Sequence, residues 1–247
     1  MVEIIGLAGM LAFLVSSLTV GLRLLALGLR KHRSPELAIG AGFVIGGAVG
    51  YAPETVILST DLFSADVEAR VLLITQIAIR IAAVSALLFT LLVFRRRQPI
   101  AWLAGGAIVA GLIASWLAFP QTRVLASDAT DRLWYDVFTV LRSGCIAWGS
   151  VESFAYYAKL RRRAKIGIGD PVLTNRFLLW GIGLLSMTLL MATTLLAAAV
   201  GVDPAAFGWV LLESTAGLIG AATLWLTFFP GVRYVAMLQR RADTARA

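Results

Sequence analysis

Long runs of apolar residues alternate with short polar turns along the whole chain. A membrane-spanning helix needs about 20 mostly apolar residues to cross the hydrocarbon layer of a bilayer. Seven runs meet that length, so the pattern predicts an all-α integral membrane protein, a seven-transmembrane helix bundle forming a single domain over residues 1–247. The predicted spans cover residues 4–29, 36–59, 67–94, 100–119, 132–159, 172–200 and 205–229, and a short basic tail follows at 230–247.

Six of the seven prolines stand at predicted helix boundaries. Pro35, Pro99, Pro171 and Pro204 begin helices, where the missing N–H would have no partner in any case, and Pro120 and Pro230 follow helix ends. Pro53, in the segment GYAPET at residues 50–55, is the exception, because it lies inside the second predicted span. A proline there frees the carbonyl of the residue four positions earlier. We therefore predict that Pro53 acts as a hinge.

Composition and charge agree with membrane insertion and indicate an orientation. Apolar residues make up 59% of the chain, more than a soluble domain of this length could bury. The net charge of +8 does not indicate nucleic-acid binding, because no basic face with interleaved aromatic residues is present. Arginine and lysine concentrate on alternate turns, and the positive-inside rule then predicts an outside N-terminus and a cytoplasmic C-terminus. The basic positions are Arg30, Lys31, Arg33, 95–97, 159–165, Arg233, Arg240 and Arg241.

The basic turns also predict partners. They are expected to contact anionic lipids of the bilayer, and a cytoplasmic or membrane protein partner is a weaker alternative. The alanine- and arginine-rich composition favours a bacterial inner (plasma) membrane.

Four ionisable residues on four different predicted spans fall in the outer half of the bilayer. Counted from the outer ends of the spans, Glu54 lies ~7 Å deep, Glu213 ~12 Å, and Arg80 and Arg142 ~15 Å. A lone charge in the bilayer centre costs about 2.5–3.5 kcal/mol on insertion scales, so these side chains must pair or line a polar cavity. We predict that Glu54 and Glu213 neutralise Arg80 and Arg142 in one buried layer of ion pairs. Glu152 lies deeper, toward the cytoplasm.

Three further residues belong to this predicted layer by their spacing. Tyr51 precedes Glu54 by one turn, Gln76 precedes Arg80 by one turn, and Tyr135 precedes Arg142 by one heptad. The sequence thus predicts a receptor-like or sensor-like protein that binds a small polar or zwitterionic ligand at these residues. The arginines would contact an anionic group, and the glutamates would act as counter-charges.

Two alternatives remain open at this point. Similar turn chemistry in spans 1–3 and 5–7 is also expected for a small-solute transporter of 3+1+3 arrangement, with proton coupling through the glutamates. The charged layer could equally be a structural ion-pair network that fixes helix register in a membrane assembly subunit. Gly42, Gly46 and Gly50 follow the small-xxx-small pattern of close helix packing, which supports a structural role for the second span.

No cofactor, metal or enzymatic activity is predicted. The layout resembles that of microbial rhodopsins, but their retinal binds a lysine in the last span, and Lys31, Lys159 and Lys165 all lie in turns. The layout also resembles that of seven-span sugar exporters. Their Pro-Gln signature would lie in the first and fifth spans, whereas the Pro-Gln pair of this chain, Pro120-Gln121, follows the fourth. With His32 as the one histidine and Cys145 as the one cysteine, a haem or zinc ligand set is excluded.

Overall fold

The computed structural model describes residues 2–59, 63–119, 129–166, 168–201 and 206–244. Within these residues the chain forms α-helices and one π-helical segment, and no strand. The elements are α1 (Val2–Lys31), α2 (Ser34–Val44), the π segment (Ile45–Tyr51), α3 (Ala52–Ser59), α4 (Ala65–Phe94), α5 (Pro99–Ala118), α6 (Ala129–Lys165), α7 (Pro171–Val200), α8 (Phe207–Phe228) and α9 (Val232–Thr244).

Six helical segments of the described chain are long and apolar enough to cross a membrane. They are Ala8–Lys31, Ser34–Ile57, Ala65–Phe94, Pro99–Ala118, Pro171–Thr193 and Phe207–Phe228. The second of these segments combines α2, the π segment and most of α3. The prediction of an all-helical protein with membrane-spanning helices is therefore confirmed at this level.

The predicted fifth span, 132–159, is different. It falls within α6, which at 37 residues is long enough to cross a bilayer. Asp136, Arg142 and Glu152 make this helix too polar to stand among the six apolar segments. Length and apolarity therefore identify six of the seven predicted spans.

The helix starts follow the predicted proline chemistry wherever the structure describes them. Pro35 and Pro99 lie in the first turns of α2 and α5, and α7 begins at Pro171. The Asp170 carboxylate accepts hydrogen bonds from the amides of Val172 (2.8 Å) and Leu173 (3.2 Å), as an N-cap residue does. Pro120 and Pro204 lie outside the described residues.

The three glycines of the small-xxx-small pattern press the second span against α4. A Cβ atom built on Gly46 would lie 2.7 Å from Ala82 Cβ, one on Gly50 would lie 2.8 Å from Ile79 Cγ1, and one on Gly42 would lie 3.0 Å from Ser85 Cβ. These distances leave no room for a side chain. The glycine pattern thus has a packing role in the fold.

Two pairs of helices run parallel, as their contacts at separate levels show. A Cβ on Gly9 of α1 would meet Ser214 of α8 at 2.7 Å, and fourteen residues further along α1 the Arg23 Nη1 atom donates to the Phe228 carbonyl at 2.6 Å. The helices α4 and α6 also run in the same direction. Arg80 lies over the Phe138 ring near one end, and Arg95 contacts Glu152 near the other.

Most of the basic tail forms α9. The sequence interpretation assigned no helix to residues 230–247, whereas the structure continues from the end of α8 into a strongly amphipathic helix. The Asn175 amide of α7 donates a hydrogen bond to the Tyr234 hydroxyl at 2.7 Å and ties α9 to the bundle. An amphipathic helix of this kind suits the membrane–water interface.

Candidate functional site

The π segment ends at Tyr51, two residues before Pro53 in the interior of the second span. The Ala52 amide donates to the Gly47 carbonyl, five residues earlier, where a regular helix would use a residue four positions earlier. In a regular helix the Pro53 ring would collide with the Val49 carbonyl. The wider turn relieves this collision, and π-helical turns inside α-helices occur frequently at functional sites. A hinge at Pro53 stays a prediction.

Gln76 connects the Glu54 carboxylate to the Arg80 guanidinium. Its Nε2 atom donates to Glu54 Oε1 at 2.6 Å, while Arg80 Nη1 donates to the Gln76 carbonyl at 3.1 Å and approaches Gln76 Oε1 at 3.5 Å. Gln76 and Arg80 are both buried on α4. The structure therefore brings together three of the predicted site residues, with the glutamine amide between the two charges.

The two arginines share an aromatic ring that the sequence analysis did not single out. The guanidinium carbon of Arg80 lies 3.9 Å from the centroid of the Phe138 ring and 5.0 Å from that of Trp116, and Arg142 lies 5.0 Å from Phe138. A guanidinium over an aromatic face gains about 2 kcal/mol or more where water is excluded. Phe138 is 1% exposed. Aromatic faces thus take part of the role that the sequence analysis gave to a second carboxylate.

Tyr51 and Arg142 complete the cluster. Tyr51 interacts with the Arg142 side chain and lies within electrostatic range of Glu54 and Tyr135. Among the described residues, the buried Nε atom of Arg142 has no partner at hydrogen-bond geometry. A buried donor left without an acceptor costs about 1–3 kcal/mol, so each such group calls for an explanation.

A cavity of about 210 Å³ lies beside these two groups. It is lined by α1, the second span, α4, α6 and α7, and the π segment contributes Gly46, Gly47 and Tyr51 to its wall. Arg142 and Tyr51 are polar members of that wall, together with Ser17 and Thr55. The rest is mostly apolar, with Met10, Phe13, Phe43, Met187, Leu190 and Met191 as its larger side chains.

Glu213 is not brought into this cluster. It is half-buried on α8, which packs on α1 and α7, and in the described part of the chain it makes no ion pair with Arg80 or Arg142. It does not line the cavity either. Depth along the membrane normal can be counted from a sequence, but the side of the bundle on which a helix packs cannot. The expected ion pairing of Glu213 with an arginine is therefore corrected.

A second polar network lies about 15 Å further along α6. The Arg95 Nε atom forms an ion pair with Glu152 Oε1 at 2.7 Å, and the Trp148 indole N–H donates to the same oxygen at 3.0 Å. Glu152 is 7% exposed. The sequence analysis placed Glu152 toward the cytoplasm without a partner, although the spacing of Trp148 and Glu152 puts them on one helix face.

This network leads to a stability prediction. Replacing Glu152 with alanine is expected to lower the free energy of unfolding by about 1–3 kcal/mol, because the Trp148 N–H and the Arg95 guanidinium lose their buried acceptor. Denaturant unfolding in detergent micelles measures the change. Glu36→Ala is the control, since Glu36 pairs with an exposed Arg33 at 3.2 Å and such pairs contribute about 0–1 kcal/mol. Equal losses for both variants would contradict the prediction.

The described residues contain no group of three histidine, cysteine or carboxylate side chains positioned to hold a metal ion. The candidate site is therefore the cavity together with Tyr51, Glu54, Gln76, Arg80 and Arg142, and Tyr135 at its edge.

No protein-family model, curated protein or solved structure matches this chain.

Proposed function

We propose that this chain is a sensor-like seven-helix membrane protein whose cavity binds a small molecule with an apolar body and one anionic group. The observation that carries the proposal is the position of the Arg142 guanidinium and the Tyr51 hydroxyl in the wall of a mostly apolar cavity. The two side chains interact with each other, and the buried Nε atom of Arg142 has no partner at hydrogen-bond geometry among the described residues. A carboxylate at that wall would accept hydrogen bonds from both.

The character of the wall selects the ligand class. A cavity of about 150 Å³ lined by apolar side chains can hold benzene, so about 210 Å³ leaves room for a ring or short chain with a carboxylate. Met10, Met187 and Met191 are adaptable side chains that fit irregular apolar shapes. An apolar anion suits this wall better than the polar or zwitterionic molecule expected from sequence.

We further propose that α6 is the seventh crossing. It runs parallel to α4, from the level of Arg80 to that of Arg95, and so lies beside a helix that is apolar enough to span. The parallel course of α1 and α8 also supports it, because two parallel spanning helices fit an odd number of crossings, counted from α1 to α8, better than six. With seven crossings, the basic turns favour an outside N-terminus, a cytoplasmic C-terminus and an inner-membrane location.

Reporter fusions test this topology. We expect a reporter at the N-terminus and one at the C-terminus to lie on opposite sides of the membrane, the C-terminal one in the cytoplasm. Reporters on the same side would overturn the seventh crossing. A fusion after Phe94, whose following turn carries Arg95, Arg96 and Arg97, is the control and should be cytoplasmic.

The π segment offers a way for the ligand to change the protein. It forms part of the cavity wall and simultaneously packs on α4 through Gly46 and Gly50. The second span would have two conformations, one with the π turn and one with a regular helix. A ligand that binds the conformation with the π turn more tightly would increase its population. The consequence would be a change in how the second span lies on α4.

Ligand binding is tested with three probes of similar shape and different charge. Phenylacetate should bind the protein in nanodiscs saturably and more tightly than neutral phenylacetamide or cationic phenethylamine. Arg142→Gln is expected to weaken phenylacetate binding about tenfold to a hundredfold, because a hydrogen bond to a charged group contributes about 1.5–3 kcal/mol. Glu213→Gln is the matched control and should leave binding unchanged.

The outcomes separate the alternative functions. Equal affinity for the three probes, or an Arg142→Gln variant that binds as well as the original protein, would overturn the proposal. Uptake of bound phenylacetate into proteoliposomes would identify a transporter, whereas binding without uptake supports a sensor. A protein that binds none of the probes would favour the assembly subunit with a structural charge cluster.

A further inference from the structure

We propose that the crevice between α1, α2, α4, α7 and α8, at the end of the bundle that carries the basic turns, binds the headgroup region of an anionic glycerophospholipid. This crevice has a volume of about 470 Å³, within the range of about 300–1,000 Å³ typical of small-molecule sites. The crevice and the cavity beside Arg142 share no lining residue. On α2, Phe43 lines the cavity and Ile39 lines the crevice.

Three arginines from separate elements meet at this crevice. Arg23 comes from α1, Arg33 precedes α2, and Arg176 lies in the second turn of α7. Glu36 is the one acidic residue in the lining and pairs with Arg33. The lining therefore carries a net charge of about +2 by formal count, three arginines less one glutamate. A phosphodiester is the complementary group, since guanidinium N–H donors match phosphate oxygens in geometry and charge.

Arg23 and Arg176 keep donors available for such a group. One Arg23 donor is used by the Phe228 carbonyl at 2.6 Å, which fixes the side chain along α8 and leaves other N–H groups. Arg176 is exposed and makes no ion pair within the described chain. Both residues lie near the ends of their helices, from which a long arginine side chain can extend toward the headgroup layer. The structure adds that they border the same crevice.

The remaining lining suits the glycerol and the first part of the acyl chains. Leu24, Phe89, Val93, Phe177 and Phe228 form apolar walls below the arginines. Trp180 also lines the crevice; it is 5% exposed, and its indole N–H has no acceptor among the described residues. A site that combines arginines with apolar walls between helices is typical of a lipid rather than of free phosphate.

Lipid-dependent stabilisation of the purified full-length chain in detergent tests this proposal. Because a ligand that binds the folded state raises stability by mass action, phosphatidylglycerol should raise the melting temperature more than equimolar phosphatidylcholine. Native mass spectrometry should show phosphatidylglycerol retained in preference to phosphatidylcholine. Arg176→Gln should weaken phosphatidylglycerol retention about fivefold, the effect expected for one basic residue near an anionic lipid surface. Arg176→Lys should retain most of the binding.

Arg162→Gln is the matched control, since Arg162 is an exposed arginine at the end of α6 and does not line the crevice. The proposal is overturned if both lipids stabilise the protein equally, if Arg176→Gln and Arg162→Gln weaken retention alike, or if inorganic phosphate at the same concentration gives the full stabilisation. Because Arg23 contacts the α8 backbone, its variants are left out of the test. Failure here leaves the cavity beside Arg142 untouched.

Discussion

Replacing Glu54 with leucine is expected to destabilise the folded protein by about 1–3 kcal/mol, because the buried Gln76 amide loses its acceptor and Arg142 loses a nearby counter-charge. Glu54 accepts the Gln76 amide at 2.6 Å and lies within electrostatic range of Arg142. Without this carboxylate, two guanidiniums remain over the Phe138 ring and repel each other in a medium that excludes water. Unfolding in mixed micelles, followed by the fluorescence of the native tryptophans, measures the loss.

Two further variants make this prediction specific. Glu54→Leu combined with Arg142→Leu should recover part of the lost stability, with a coupling energy of about 1–3 kcal/mol, because one surplus charge is removed as well. Glu213→Leu is the control and should have a small effect, since Glu213 makes no ion pair with either arginine within the described residues. If Glu213→Leu cost as much as Glu54→Leu and the double variant recovered nothing, the cluster would not be the organising unit.

The second large effect is expected at the contact between α1 and α8. A Cβ on Gly217 would lie 2.9 Å from the Gly9 carbonyl oxygen, and one on Gly9 would lie 2.7 Å from the Ser214 Cα. These neighbours are backbone atoms, which cannot rotate away as a side chain can. Gly217→Leu should therefore separate the helices and cost about 3 kcal/mol or more, at the upper end of the range for overpacking.

Gly208 provides a control on the same helix. A Cβ there has nothing within 4 Å, so Gly208→Leu makes the same chemical change without a collision. We expect the melting temperature of this variant to stay close to that of the original protein, while that of Gly217→Leu falls by several degrees. Equal melting temperatures would show that α1 and α8 do not pack as closely as their glycines indicate.

Local chemistry made much of the fold predictable from sequence. Pro35, Pro99 and Pro171 begin helices because proline fixes φ and lacks an N–H that would have no partner there. Gly46 and Gly50 pack on α4 because a small-xxx-small spacing puts bare backbone on one helix face. Helical spacing puts Tyr51 beside Glu54 on the second span and Gln76 beside Arg80 on α4, so each pair was predictable as neighbours.

The remainder depends on which helix faces which, and a single sequence does not encode that plainly. Glu213 lies at a suitable depth but on a helix that packs against α1 and α7. Phe138 was overlooked because an apolar ring gives no sign, by composition, that it will receive two guanidiniums. The cavity wall is also more apolar than the predicted layer of ion pairs, because Met187 and Met191 of α7 line it.

The polarity of α6 has a consequence for how the protein is made. A translocon tests each nascent segment for its preference for lipid, and Arg142 near mid-membrane would oppose release of α6 by about 2.5–3.5 kcal/mol. Its compensating groups, Gln76 with Glu54 around one end and Arg95 at the other, belong to helices synthesised earlier. As a crossing helix, α6 would therefore enter the bilayer alongside preceding helices that are retained nearby, so biogenesis would be cooperative across the second, third and fifth segments.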